Sequence, residues 1–109
     1  MMSQHMLKGH LDMILLSIIE PEPTYGLRII QEAQLRTEGY FDFKEGSLYP
    51  ALHRLVEQGF LSTEMRPSST GGAPRKYYCI TESGKKELVQ KREEWKTFSR
   101  AVNNLGGIG

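Results

Sequence analysis

Side chains that can donate hydrogen bonds are concentrated in one short stretch near the middle of this 109-residue chain. Ser47, Tyr49, His53 and Arg54 lie there, with Pro50 among them. Hydroxyl, imidazole and guanidinium groups donate to phosphate oxygens or to the edges of bases, and Tyr49 and Pro50 can pack on a sugar or a thymine methyl. The stretch therefore has the chemistry of a nucleic-acid contact, although a solvated polar face of a helix would have the same composition.

A second group of candidate contacts surrounds a turn-rich loop, residues 67–74, which contains no core residues. Glycines in such a loop let backbone amides approach phosphates. Each flanking cation that neutralises a phosphate releases counterions, which gives an affinity that falls steeply with salt. An ordinary flexible hairpin is the alternative interpretation. The candidates for DNA contact here are Gly71, Gly72, Arg75 and Lys76, with Arg66 as a third cation on the other side of the loop.

Residues that could support catalysis or bind a metal do not form a recognisable site. His5, His10 and His53 are scattered, and no pair has metal-ligand spacing with a carboxylate or with the single cysteine, Cys79. One cysteine excludes an internal disulfide and suits a reducing compartment. The strand pattern around Cys79 predicts a small core hydrophobe and not a nucleophile. We therefore expect no enzymatic activity, no metal and no cofactor.

The composition is that of one ordinary globular domain, with 39% hydrophobic and 25% charged residues. Its longest apolar stretch, residues 13–19, is too short to span a bilayer, and it lacks the flanks of a signal peptide. These features predict a cytoplasmic protein. The net charge is only +1, so a nucleic-acid partner requires that positive charge be concentrated on one surface.

Helical periodicity predicts two helices before the polar stretch. The first runs over about residues 6–20 and ends at the prolines that follow. The second has Thr24 as its N-cap and fades near residues 37–39. Gly26 falls in its first turn, where a missing side chain costs stability unless another backbone passes close by. The apolar faces consist of Leu7, Leu11, Ile14, Leu15 and Ile18 in the first helix, and of Leu27, Ile30 and Ala33 in the second.

A third helix holds the polar stretch itself. Its predicted apolar stripe is formed by Leu48, Leu52, Leu55 and Val56, and Gly59 is a signal for its end. We favour Ser47 as its N-cap, because Pro50 then lies in the first turn, where its missing N–H costs little. A start at Lys44 or Glu45 would place Pro50 further inside and force a bend.

Beyond residue 59 the apolar period changes from helical to two. Leu61, Thr63 and Met65 alternate with polar residues, and residues 75–80 form a second short strand. The two strands with the loop between them predict a β-hairpin. Thr81 then caps a last helix that runs to about Leu105 and ends at Gly106 and Gly107.

Three helices, a hairpin and a long helix give a mainly α fold with a small β-hairpin, an α+β class. This is the order of a winged helix-turn-helix, in which the third helix enters the major groove and the hairpin tip lies along the DNA backbone or the minor groove. The last helix has apolar residues at the a and d positions of a heptad, interrupted by Lys91. That stripe could fold back on its own domain or pack against a second copy, as in dimeric regulators that read paired half-sites.

Five motifs occur in order along the chain: Thr-Tyr-Gly at 24–26, Gly-Ser-Leu-Tyr-Pro-Ala-Leu-His-Arg-Leu at 46–55, Gly-Phe-Leu at 59–61, Gly-Gly-Ala-Pro-Arg-Lys-Tyr-Tyr at 71–78, and Ile-Thr-Glu-Ser-Gly at 80–84. Together they resemble the PadR family of transcriptional regulators. The resemblance covers about residues 7–105, and the single C-terminal helix is similar to that of the short-form subfamily.

The resemblance implies a dimeric winged-helix repressor whose last helix packs on the partner's first helix. In relatives that sense toxic aromatic compounds, a tryptophan on that helix lines a pore at the dimer centre, and Trp95 occupies the matching position. Trp95 is therefore a candidate binding residue for a small planar aromatic effector. The expected dimer-interface residues are Leu7, Leu11, Leu88, Trp95, Phe98, Val102 and Leu105.

We therefore expect a DNA-binding transcriptional regulator, a dimeric repressor whose operator binding is relieved by a small aromatic effector. Residues 1–80 would form the DNA-binding part and residues 81–109 the dimerisation helix, within one compact unit. Double-stranded operator DNA and a second copy of the chain are the expected partners. The main alternative is a winged-helix module that binds protein in place of DNA, and a weaker one is a dimer that only sequesters a ligand.

Overall fold

A computed structural model describes residues 4–106 of the chain, with side chains from His10 onward. The elements are α1 (Gln4–Ile19), α2 (Gly26–Arg36), α3 (Glu45–Glu57), β1 (Leu61–Arg66), β2 (Arg75–Ile80) and α4 (Glu82–Asn104). Three helices, an antiparallel hairpin and a long final helix confirm the predicted winged-helix order and the α+β class. No helix within these residues is both long and apolar enough to cross a membrane.

One hydrophobic core joins all of these elements. Leu15 from α1, Ile29 from α2 and Leu88 from α4 are fully buried in it. The stripe predicted for α3 is confirmed, because its three leucines are fully buried and Val56 packs against the core. Burying a leucine side chain stabilises a fold by roughly 1.5–3 kcal/mol relative to leaving it exposed, so the apolar face of α3 holds its polar face outward.

The beginning of α2 differs from the sequence-based prediction. The N-cap is Tyr25, which makes no side-chain capping bond, and Thr24 does not cap the helix. Thr24 instead forms an isolated antiparallel bridge with Tyr78, in which each backbone N–H donates to the other residue's carbonyl, at 3.1 and 2.7 Å. The predicted buried position of Leu27 is also wrong, since its side chain is 48% exposed and Ile29 takes the core position.

The third helix starts earlier than predicted. Lys44 is its N-cap, Glu45 its first residue, and Pro50 lies inside the helix, so the Ser47 start is wrong. The carbonyl of Lys44 accepts from the N–H groups of Ser47 and Leu48, at 3.0 and 2.9 Å. This added turn places Ser47 within the helix, on the same element as the other candidate contacts.

The hairpin has the predicted strands, and its register fixes which residues share a face. Leu61 pairs with Ile80 at the base of the hairpin, and Arg66 pairs with Arg75 at the end next to the connecting loop. Because side chains alternate across a strand, Arg75, Tyr77 and Cys79 lie on one face of β2. Cys79 is half-buried with its thiol 3.8 Å from a carboxylate oxygen of Glu64, so the prediction of a core cysteine is wrong.

The final helix begins and ends as predicted. The hydroxyl of Thr81 accepts a hydrogen bond from the backbone N–H of Gly84 at 2.9 Å, which satisfies an N–H that the helix itself leaves free. Leu105 is the C-cap, and Gly106 follows with a φ of +77° that favours glycine. Gly107 lies outside the described residues. Arg92 ties α4 to the end of α1, since its guanidinium lies 3.3 Å from the hydroxyl of Ser17 and 3.2 Å from a carboxylate oxygen of Glu20, the residue after the helix.

Candidate nucleic-acid interface

The outward face of α3 carries the predicted contact residues. Ser47, Tyr49, Pro50 and His53 are all exposed, on the side of the helix away from its buried leucines. The imidazole Nε2 of His53 lies 2.6 Å from a carboxylate oxygen of Glu57, one turn along the helix. The face therefore presents hydroxyl, phenol and imidazole groups together over about two turns of helix.

A groove of about 390 Å³ separates this face from the hairpin. Tyr49 comes from α3, Arg75 and Lys76 come from β2, and all three line it. The structure thus brings together residues from both of the stretches that the sequence singled out. The remaining walls, not predicted as contacts, are Tyr25, Gly26, Leu27 and Tyr78. Two of them, Tyr25 and Gly26, belong to the Thr-Tyr-Gly motif, which places an aromatic ring and a glycine at the start of α2.

Positive charge in the groove has no carboxylate partner within the part of the chain whose side chains are described. Arg75 and Lys76 pair with no carboxylate among residues 10–106, and the guanidinium of Arg75 lies 4.4 Å from the centre of the Tyr25 ring. Burial raises the pKa of the Tyr78 phenol above its ordinary value, and the phenol of Tyr49 raises it further. Tyr78 is therefore a neutral phenol near pH 7 and adds no negative charge opposite an anion.

Other predicted cations are engaged within the chain. Arg54 lies 3.1 Å from a carboxylate oxygen of Asp12 on α1, and its side chain is half exposed. Arg66 donates from its Nε to Glu64 at 2.8 Å. Since a cation beside a carboxylate presents less charge to a third group, Arg75 and Lys76 carry most of the field at this surface.

The two loop glycines lie apart from the groove. Gly71 has a φ of +81°, and its N–H donates to the carbonyl of Ser68 at 3.2 Å in a turn at the tip of the hairpin. Gly72 is exposed beside it, and neither residue lines the groove. The tip is thus a separate surface at the far end of the wing.

A second exposed surface runs along the C-terminal half of α4. Trp95 is 41% exposed, Phe98 60% and Leu105 87%, and Val102 is half-buried. Leu11 and Leu88 belong to the core of the chain itself, which corrects the expectation that they face a partner, because they have little or no free surface. The side chain of Leu7 lies outside the described part of the structure.

Trp95 borders a groove of about 200 Å³ between α1 and α4. His10 meets the indole edge-on, with ring centres 5.1 Å apart, and Phe98 stacks near it at 6.1 Å. Glu94 also lines the groove, whereas Glu93 pairs with Lys96 at 3.5 Å. Among the side chains described, no three His, Cys, Asp or Glu residues converge as they would around a metal ion.

Comparison with known proteins places this architecture in a family. Residues 15–90 match the PadR-like family of transcriptional regulators. A transcriptional regulator from Mycobacterium tuberculosis is 36% identical over 83 residues, which cover 76% of this chain and 71% of the relative.

Solved structures agree over nearly the full length. A transcriptional regulator from Clostridium thermocellum is 31% identical, with a TM-score of 0.85 over 95% of this chain and 97% of that one. A PadR-like transcriptional regulator from Bacillus cereus is 36% identical, with a TM-score of 0.79 over 94% and 96% of the two chains. The match in both sequence and fold shows that this chain belongs to the PadR-like family of transcriptional regulators.

Proposed function

We propose that this chain is a transcriptional repressor that binds operator DNA as a homodimer. The observation that carries the proposal is the groove that Tyr49 of α3 shares with Arg75 and Lys76 of the wing, two cations without a carboxylate partner among the described side chains. A helix with polar side chains beside an unneutralised cationic strand matches what a DNA duplex presents, namely base edges in a groove and phosphates along its rim. In this proposal residues 1–80 bind DNA and the last helix joins two copies.

The proposed contacts divide by chemistry. Base edges and thymine methyls in the major groove would meet the exposed face of α3, which consists of Ser47, Tyr49, Pro50 and His53. Arg75 and Lys76 would bind phosphates, and the exposed loop at Gly71 and Gly72 would bring its backbone close to the DNA backbone further along the duplex. Arg54 already pairs with the carboxylate of Asp12, so we expect it to contribute less than Arg75.

The exposed stripe of α4 supports a dimer. Phe98 and Leu105 together offer an aromatic ring and an aliphatic side chain to solvent, and large exposed apolar groups on one helix face commonly mark a protein interface. A two-fold dimer would present two copies of α3 to successive half-sites about one turn of DNA apart. The function of α4 in this proposal is to set that spacing.

The groove at Trp95 supports an effector site. A planar aromatic compound can stack on the exposed indole, and Glu94 would favour a cationic one. Such a ligand relieves repression only if it binds better to a dimer conformation that binds DNA poorly. We propose that small planar aromatic ligands act in this way.

The DNA-binding proposal is tested by salt-titrated fluorescence anisotropy on a duplex from the protein's own upstream promoter and on an unrelated duplex. Arg75→Ala and Lys76→Ala should weaken binding to both duplexes and reduce the salt slope by about one unit each. Arg66→Ala, which removes a cation already held by Glu64, is the matched control and should change the slope less. Tyr49→Ala should change the ratio of the two affinities.

If Arg75→Ala, Lys76→Ala and Tyr49→Ala all bind both duplexes like the unaltered protein, the assignment of these residues to DNA contact is contradicted. If the unaltered protein binds neither duplex even at low salt, the chain is not a DNA-binding protein. The winged helix would then have to recognise a protein partner.

A further inference from the structure

Two arginines lie directly opposite each other at the loop end of the hairpin. Arg66 of β1 and Arg75 of β2 form the last pair of the ladder, on the same face of the sheet. Like charges in directly opposed positions repel each other, so the pair needs a local explanation. The two guanidinium groups are in fact directed to different partners.

Arg66 is held by neighbours on the hairpin. Its guanidinium pairs with Glu64 and lies 4.6 Å from the centre of the Tyr77 ring. Arg75 has no carboxylate partner among the described residues and lies 4.4 Å from the centre of the Tyr25 ring. The Tyr25 and Tyr77 rings meet edge to face at 5.2 Å, so the two tyrosines lie in contact within one cluster with the two cations.

Tyr25 is fixed in place by the backbone on both sides of it. Thr24 exchanges two hydrogen bonds with Tyr78 of β2, and the carbonyl of Tyr25 accepts from Ile29 at 2.9 Å in the first turn of α2. The ring therefore belongs to the helix-turn-helix, whereas the arginine that stacks on it belongs to the wing. A guanidinium held over the face of a ring keeps the N–H groups that point away from the ring free for a phosphate.

We infer that Tyr25 is a positioning residue for DNA binding: it holds the Arg75 guanidinium at the groove so that its N–H groups meet a backbone phosphate, while Glu64 withholds Arg66 from that role. The inference rests on the proposed DNA-binding function. It assigns a role to a tyrosine that acts through Arg75 and does not itself need to touch DNA.

The first test is a double-mutant cycle on promoter DNA, measured by anisotropy over a range of salt concentrations. Tyr25→Leu removes the ring without removing a helix cap, because the Tyr25 side chain makes no capping bond. It should weaken binding by about two- to fivefold, the size of an exposed cation–π contact. Tyr25→Phe keeps the ring and should bind like the unaltered protein. In an Arg75→Ala background, Tyr25→Leu should have no further effect.

The second test needs no DNA. In the free protein, the Tyr25 ring current should displace the Arg75 Hδ resonances, and this displacement should persist in Tyr25→Phe and vanish in Tyr25→Leu. Arg75→Lys keeps the charge but replaces the planar group that stacks, so it should also weaken binding. This surface change keeps the test decisive if Tyr25→Leu proves unstable in thermal denaturation.

Three results would overturn the inference. Equal losses from Tyr25→Phe and Tyr25→Leu would mean that the tyrosine hydroxyl contacts DNA itself. Additive effects of Tyr25→Leu and Arg75→Ala would mean that Tyr25 acts on the fold and not through Arg75. If the chemical shifts of Arg75 did not change in Tyr25→Leu, the contact between the two side chains would not exist in solution. Failure of the proposed function is distinguishable from these results. The unaltered protein would then bind no DNA, although the Arg75 Hδ resonances would still show the ring-current shift from Tyr25.

Discussion

Gly26 at the start of α2 lies directly against the phenol of Tyr49 on α3. A Cβ atom on residue 26 would overlap the tyrosine hydroxyl and lie 2.7 Å from the ring carbon Cζ. Only a residue without a side chain allows Tyr49 to occupy this position, and Tyr49 forms one wall of the groove that we assign to DNA. The contact therefore links a backbone requirement in α2 to the orientation of a proposed recognition residue in α3.

We predict that Gly26→Ala changes DNA recognition more than it changes stability. The obstacle is the outer end of a side chain, which can rotate away, and alanine gains up to about 1 kcal/mol of helix propensity over glycine. Tyr49 would be displaced from the groove, so the ratio of promoter to unrelated-DNA affinity should change while the melting temperature stays close to that of the unaltered protein. Thermal denaturation and anisotropy measure the two effects.

Two other glycines provide matched controls for this prediction. At Gly84 a Cβ would overlap the backbone carbonyl of Phe60, which cannot rotate away, so Gly84→Ala should cost roughly 1–3 kcal/mol of unfolding free energy. A Cβ at Gly46 would meet open space, so Gly46→Ala should not destabilise the fold. Equal stability losses at positions 26 and 84 would contradict the distinction.

Thr24 provides a prediction about stability alone. Its hydroxyl is buried and has no hydrogen-bond partner among the described residues. Thr24→Val has nearly the same shape, suits an extended bridge and removes the unpaired group, so it should raise the unfolding free energy by about 1 kcal/mol. Thr24→Ser, which keeps the hydroxyl and loses the methyl group, should be destabilising. A loss of stability in chemical denaturation of Thr24→Val would show that the hydroxyl has a partner, such as a water.

Dimerisation should depend on the exposed stripe of α4. Phe98→Ser removes an exposed ring at a d position and should shift the protein towards monomer and weaken operator binding. Val89 is similarly exposed at 59% on the same helix but lies outside the stripe, so Val89→Ser is the matched control. Sedimentation velocity measures both variants. A Phe98→Ser protein that remains as dimeric as the control would place the interface elsewhere.

Effector binding should be visible in the fluorescence of Trp95, the only tryptophan in the chain. Planar aromatic compounds that stack on the indole should quench it, and the same compounds should weaken operator binding. Glu94→Gln should reduce the preference for cationic compounds over phenolic acids, because it removes the carboxylate that lines the groove. Absence of quenching across such a panel would contradict the site, and quenching with unchanged operator affinity would contradict its regulatory role.

Cys79 should react slowly with alkylating agents near neutral pH. Burial raises the pKa of its thiol above the ordinary value, and the neighbouring Glu64 carboxylate raises it further, whereas Arg66 lowers it. A raised pKa means less thiolate at a given pH, so the iodoacetamide rate at pH 8 should fall below that of free glutathione. Glu64→Gln removes one raising charge and should speed the reaction. A rate equal to that of glutathione in the unaltered protein would contradict this environment.

Local patterns were enough to predict most of the secondary structure. The helical spacing of Leu48, Leu52 and Leu55 and the alternation after Gly59 depend on neighbours in the chain, and so does the capping of α4 by Thr81. The polar stretch of α3 was also predictable from the sequence, because residue type and spacing along a helix decide which side chains lie on its exposed face. The PadR-like motifs then joined these stretches into one fold.

Relationships between distant residues were decided only by the tertiary structure. Thr24 had the properties of a helix cap, but its backbone pairs with Tyr78, and no local pattern reports a partner so far along the chain. Leu88 and Phe98 both belong to the predicted a/d stripe of α4, yet Leu88 is buried in the core and Phe98 is 60% exposed, a difference that the heptad pattern does not report. Which arginines have a carboxylate partner was also decided by the tertiary structure. Arg54 pairs with Asp12, 42 residues earlier in the chain, whereas Arg75 has no such partner among the described side chains. Ionic interactions depend on the distance between the charges in space and not on their separation in sequence.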